Sequence, residues 1–210
     1  NPNYNYKLLY RNSLTANFTE VKVKGSYVVP LDDKIEFYLN ANILPEGYYT
    51  IGRTDGSPVA ENALDFDGID DYVSLGSDIS LSSSFTIESW VKLNDITGKH
   101  PILSKGSSDS NDEFLLEISE GILTFDWGGT SAKISGNMTL EANKWYHVAA
   151  TYDAVSYTAT LYLNGLNIGD GAATTHLTTA ASTYIGKSYS YFTNGSIDEL
   201  KIWDKARTES

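Results

Sequence analysis

The sequence predicts an all-β fold, a two-sheet antiparallel jelly-roll sandwich with a small β-rich N-terminal extension. Three observations predict it. Short runs rich in Val, Ile, Thr, Tyr, Phe and Trp recur with period-two alternation. Clusters of Gly, Asn, Asp and Ser separate these runs at regular intervals, the spacing of a sandwich or jelly roll. Helical periodicity is almost absent.

The elements run in chain order. Residues 1–60 hold about four strands, among them 18–24 and 34–39, and close with 44–51. Turn formers cluster at Thr54-Asp55-Gly56-Ser57-Pro58, where the proline disfavours strand continuation and marks a boundary. About 60 residues is marginal for an independent core, so this segment is expected to dock on the jelly roll C-terminal to it. Residues 61–210 carry the jelly roll, with strands expected near 63–67, 85–93, 145–152, 157–163 and 196–203. Gly121 separates 114–119 from 122–127, and Asn164-Gly165 separates 160–163 from 166–168, so both pairs read as antiparallel hairpins.

Composition narrows the function. The chain of 210 residues is 41% hydrophobic and has 27 Asp and Glu against 15 Lys and Arg, a net charge of −12. That charge repels phosphate backbones and sets nucleic acid aside as a partner. No apolar run reaches the roughly 18 residues of a membrane helix, so membrane insertion is not expected. Zero cysteines removes thiol nucleophiles, disulfide frameworks and thiolate zinc sites. The start Asn1-Pro2-Asn3, without Met or an apolar leader, reads as a processed or excised piece.

Asp65, Asp67, Asp70 and Asp71 crowd seven positions around Gly68. Close carboxylates repel, and a hard dication with oxygen ligands, calcium above all, relieves them; the alternative is a solvated acidic turn without metal. In 85–92, Phe85, Ile87, Ser89 and Val91 share one face, while Thr86, Glu88, Trp90 and Lys92 share the other. The second face brings Glu88 and Trp90 together as a candidate sugar platform, unless Trp90 is buried under a loop. Trp127, Tyr189 and Tyr191, in or beside Gly- or Ser-rich turns, are further stacking candidates. The acidic loop 109–113 lacks the glycine and distal Glu of an EF-hand and reads as a solvated loop. His100, His147 and His176 sit in no metal or triad motif, and three Asn-x-Ser/Thr matches, at Asn17, Asn137 and Asn194, are explained by chance.

Four segments, in order, carry a family resemblance: 63–73 (ALDFDGIDDYV), 85–92 (FTIESWVK), 145–153 (WYHVAATYD) and 195–203 (GSIDELKIW), with the 161–165 hairpin LYLNG between the last two. Residues from about 63 to 205 thus resemble the laminin G-like branch of the concanavalin A-like lectin/glucanase superfamily. The resemblance implies a jelly roll whose first and last strands are neighbours. It also implies a structural calcium at their junction, for which Asp67, the Gly68 carbonyl and Asp198 are the preferred ligands and Asp70 a further one. The laminarinase-like members use Glu-x-Asp-x-x-Glu on one strand, and neither 113–120 nor 197–200 has that spacing, which argues against glycoside hydrolysis. The expectation is therefore a non-catalytic carbohydrate-binding or adhesion module of a larger secreted or cell-surface, bacterial protein. Its partner would be a polysaccharide or other glycan. The alternative is a structural spacer whose partner is a neighbouring protein domain; a glycoside hydrolase or lyase ranks last.

Overall fold

Strands whose alternate residues are apolar become stable when two such faces close on each other, and this chain does so over most of its length. A computed structural model describes residues 6–11, 19–20, 23–29, 34–39, 48–53, 63–76, 79, 81–106, 112–128, 133–174 and 177–207. Among these there is no helix. The N-terminal segment contributes β1 (Tyr6–Arg11), β2 (Thr19–Glu20), β3 (Val23–Val29), β4 (Lys34–Leu39) and β5 (Tyr48–Arg53). The jelly roll begins with β6 (Leu64–Asp67), β7 (Val73–Gly76), β8 (Phe85–Leu93), β9 (Lys99–Gly106), β10 (Asp112–Ser119), β11 (Ile122–Trp127) and β12 (Ile134–Thr139). It continues with β13 (Tyr146–Asp153), β14 (Thr158–Leu163), β15 (Leu166–Ala172), β16 (Thr183–Ile185), β17 (Lys187–Ser188), β18 (Tyr191–Phe192) and β19 (Asn194–Trp203).

A six-stranded sheet runs β15-β14-β13-β8-β19-β6, so the first and last jelly-roll strands are neighbours, as the resemblance implies. The facing sheet runs β12-β11-β10-β9-β16-β7-β4-β3. Its β4–β7 pair is parallel, with Ile35 opposite Val73, whereas the expected sandwich was antiparallel throughout. Strands β2, β1 and β5 form a small separate sheet. The expected boundary at 54–58, Phe18 and residues 44–47 of the N-terminal segment, most of the acidic loop (109–111) and His176 lie outside the described residues.

Between the sheets, Phe85, Ile87 and Val91 of β8 meet Phe114, Leu116, Phe125 and Trp127 of β10 and β11. The Phe85 ring lies 4.7 Å from Trp127 and 5.6 Å from Tyr152, and Trp127 lies 5.0 Å from Tyr152. Fully burying one such side chain contributes roughly 1.5–3 kcal/mol, so this aromatic group anchors the sandwich. At the far edge β12 and β15 approach so closely that a Cβ on Gly136 would meet the Ile168 side chain at 2.5 Å, and one on Gly169 would meet the Ser135 carbonyl at 2.7 Å.

Two charged groups sit inside this framework. Lys105 and Glu113 form a buried ion pair at 3.1 Å, completed by Lys105 donating to the Ile79 carbonyl at 2.6 Å and Thr179 N–H donating to Glu113 at 2.9 Å. These bonds tie the segments at 79 and 179 to the sheet. On the outer side of β10 and β11, Leu115, Glu117, Thr124 and Asp126 are all buried. Lys133 pairs with Glu117 at 3.0 Å, while Asp126 Oδ1 has no hydrogen-bond partner among the described residues. Burial pushes the Asp126 carboxyl up from 3.8 to about 6, opposed by Lys133 and reinforced by Glu117.

Both groups yield measurable expectations. Lys105→Met should cost about 3–5 kcal/mol in chemical denaturation because it strands the Glu113 charge, and adding Glu113→Leu should recover most of that loss. Asp126 keeps its proton in the fold between about pH 4 and pH 6, where the unfolded chain has released it. Its contribution to stability therefore falls as pH rises through that window, by up to about 3 kcal/mol. Asp126→Asn should flatten this decline in denaturation midpoints and stabilise the protein at neutral pH.

Candidate functional site

The central strand β8 lies between β13 and β19 and presents Thr86, Glu88, Trp90 and Lys92 outward. On its neighbours, His147 stands opposite Trp90 from one side and Asp198 from the other. Beyond Asp198 the register slips by one residue, so Lys201 rather than Leu200 faces Glu88; Glu199, inside the slip, has a positive φ of 49°. Asp198 Oδ1 accepts the Glu199 N–H at 2.8 Å, a local bond that holds the irregular backbone.

An open recess of about 410 Å³ results, lined by Trp90, Trp145, Asp198 and Glu199. Trp90 is 40% and Trp145 41% exposed, unusual for large indoles on a folded surface. His147 packs edge-on under Trp90 with ring centroids 5.4 Å apart. Burial holds its imidazole below the usual pKa; Glu88 opposes this, while Lys201 and Arg207 reinforce it. His147 is therefore a neutral supporting ring, as the alternation with Trp145 suggests.

Glu88 does not reach the recess. It is buried in a ring of donors, with Trp203 Nε1 at 3.1 Å, Lys201 at 3.3 Å and Arg207 at 3.3 Å. The chain after β19 folds back over this end of the sheet: the Thr86 hydroxyl donates to the Lys205 carbonyl and accepts the Arg207 N–H. The expectation of Glu88 as an exposed sugar ligand is thus corrected, because residues 203–207 cover it.

Trp127 is corrected more sharply. It is 1% exposed, since it continues the inward phase of Leu123 and Phe125 on β11 despite the glycine that comes next. Tyr189 is 61% exposed and Tyr191 half-buried under the Lys99 ammonium, 4.4 Å from its ring; both belong to the β17–β18 hairpin and neither lines the recess. Trp145, Glu199 and the cations around Glu88 escaped the sequence reading. Trp145 could have been found, for it directly precedes a strand predicted beside Trp90.

The aspartate turn is a second arrangement. Carboxylate oxygens of Asp67, Asp70 and Asp71 lie within 4.8 Å of one another. The turn is built by Asp67 Oδ1, which accepts from Ile69 N–H at 2.7 Å, and by Asp71, which accepts from Asp67 N–H at 3.0 Å. Gly68 has φ +81°, and a Cβ there would meet Asn194 Cβ at 2.8 Å. Three clustered carboxylates are hard oxygen donors that suit calcium. Asp198 is not with them. Asn194 is the residue opposite Asp67, and Asp198 lies four residues further along β19, about 13 Å away. The junction is behind this correction: neighbouring strands bring Asn194, not Asp198, beside the turn.

Comparison with solved structures supplies the wider setting. The carbohydrate-binding module CBM40 of Ruminococcus gnavus IT-sialidase, bound to α2,3-sialyllactose, matches with a TM-score of 0.62 at 15% identity over 71% of this chain and 93% of that one. A Bacteroides ovatus protein whose carbohydrate binding is itself only proposed matches with a TM-score of 0.57 at 19% identity over 78% of this chain. This chain spans about half, 53%, of that protein. NanB sialidase from Streptococcus pneumoniae matches with a TM-score of 0.57 at 16% identity over 70% of this chain and 26% of its own. These identities speak for shared fold. No curated protein sequence matches the chain. A family model described as concanavalin A-like lectin/glucanases superfamily matches residues 67–210, and together with the sandwich whose first and last strands pair it shows that the chain belongs to the laminin G-like family of that superfamily.

Proposed function

We propose that this chain is a non-catalytic carbohydrate-binding or adhesion module of a larger secreted or cell-surface protein, and that it holds glycan in the recess between Trp90 and Trp145. One observation carries the reading: two half-exposed indoles flank a recess whose polar lining is Asp198 and Glu199. Sugar rings offer apolar faces for stacking and hydroxyls that donate to carboxylates, and the recess supplies both complements. That solved neighbours include a sialyllactose-bound module supports the assignment to carbohydrate.

A binding rather than hydrolytic role is supported by how the acids are placed. Asp198 and Glu199 are successive residues of one bulge, and the other acid pair outside the core, Glu117 and Asp126, is buried. A retaining hydrolase needs two carboxyls about 5–5.5 Å apart across an accessible bond. The proposal extends to a structural calcium at Asp67, Asp70 and Asp71, with the Gly68 carbonyl as a further ligand.

Trp90→Ala and Trp145→Ala should each weaken binding on a glycan array and in titration calorimetry about tenfold or more, with melting little changed. Loss of fold rather than of binding in both variants, or undiminished binding, would remove the recess as the site. For the metal, a ligand bound only by the folded state at about a hundredfold above Kd adds roughly 2.7 kcal/mol. EDTA should thus lower Tm by several degrees, and Asp70→Asn with Asp71→Asn should abolish that dependence, whereas Asp198→Asn should leave it intact. Identical melting in EDTA and millimolar calcium would refute a bound metal.

A further inference from the structure

The charge lining the recess narrows its ligand. Resting on the reading of the recess as a glycan site, we propose that it selects a hexose bearing a free ammonium group, an amino sugar in a deacetylated polysaccharide, and rejects anionic sugars. The charged groups that line it, Asp198 and Glu199, are both acids. Asp198 accepts one backbone N–H and has no ion-pair partner among the described residues, whereas Glu88 beside it has Lys201 and Arg207. Lys201 is largely buried beneath the recess and is already shared between Glu88 at 3.3 Å and Glu199 at 3.7 Å. Lys92 does not line the recess; its ammonium lies 5.4 Å from the Trp145 ring centroid.

Indoles add to this selectivity. The electron-rich face of tryptophan attracts a desolvating cation, and a carboxylate beside it supplies the counter-charge. Nearby rings already bind cations: Lys92 on Trp145, and Arg207 on Trp203 at 4.2 Å. Among the described residues Trp90 has only the neutral His147 edge against its ring, so a ligand ammonium placed between Trp90 and Asp198 would find ring and carboxylate both unclaimed by another cation. An anionic sugar would meet the same carboxylate and a molecule of net charge −12, both repulsive.

The test compares four probes by calorimetry on the full chain at about pH 6, where sugar amines are protonated. These are a glucosamine tetramer, its fully N-acetylated counterpart, cellotetraose and sialyllactose. The glucosamine tetramer should bind about tenfold more tightly than the two neutral oligomers, and sialyllactose should not bind. Raising sodium chloride should erase most of that advantage on the unaltered protein. Asp198→Asn, which retains the acceptor for Glu199 N–H, should erase it while leaving neutral-sugar affinity unchanged. Equal affinity for charged and neutral tetramers, or preference for sialyllactose, would overturn the selectivity while leaving the glycan site standing. If none of the four binds, both the selectivity and the glycan reading fall.

Discussion

The one-residue slip between β8 and β19 is the constraint on which the exposed face depends. Before it, Ser196 and Asp198 point outward opposite Lys92 and Trp90, and Ile197 packs inward opposite Val91. After it, Lys201 and Trp203 point outward opposite Glu88 and Thr86, and Ile202 packs inward opposite Ile87. Because strand side chains alternate, inserting one residue exchanges the faces of everything beyond it. Without the slip Leu200 would stand against the Glu88 carboxylate and Trp203 would turn towards the core. The same backbone irregularity leaves Asp198 beside Trp90, so core packing, the Glu88 ion network and the recess are settled together.

The sandwich was legible in the sequence because its signals are local. Phe85 to Leu93 alternates cleanly, Asn164-Gly165 makes the tight hairpin, and both features survive any error of one residue at a strand end. What escaped was set by pairing between distant strands. A bulge within 194–203 leaves no mark on hydrophobic alternation, which made Asp198 look like a neighbour of Asp67. Trp127 was misread because the glycine after it suggested an exposed turn, while the inward phase of β11 decided its burial. Glu88 was visible as an outward residue; its cover, the return of 203–207, is tertiary.

Charge is distributed with a bias that the net value conceals. Lys105, Lys133, Lys201 and Arg207 are committed to Glu113, Glu117 and Glu88, and Lys99 and Lys187 lie over the rings of Tyr191 and Tyr72. These cations serve the fold. Among the described residues, carboxylates at Asp67, Asp70 and Asp198 are left without a matching basic side chain, so the surface field near both arrangements is more negative than local counting of residues suggests.

Strand β6 is a four-residue edge strand that pairs, among the described residues, with β19 alone, antiparallel, with Leu64 opposite Ile197 and Asp67 opposite Asn194. The two chain directions therefore leave the jelly roll from the same end of that pair. Tension applied across residues 63 and 204 would load the hydrogen bonds one after another from Leu64, as a zipper opens, and not all at once in shear. A module with this geometry yields at its first strand under low force while Trp90, Trp145 and β8 stay in place, which makes the aspartate turn at the end of β6 the point where peeling meets its first resistance.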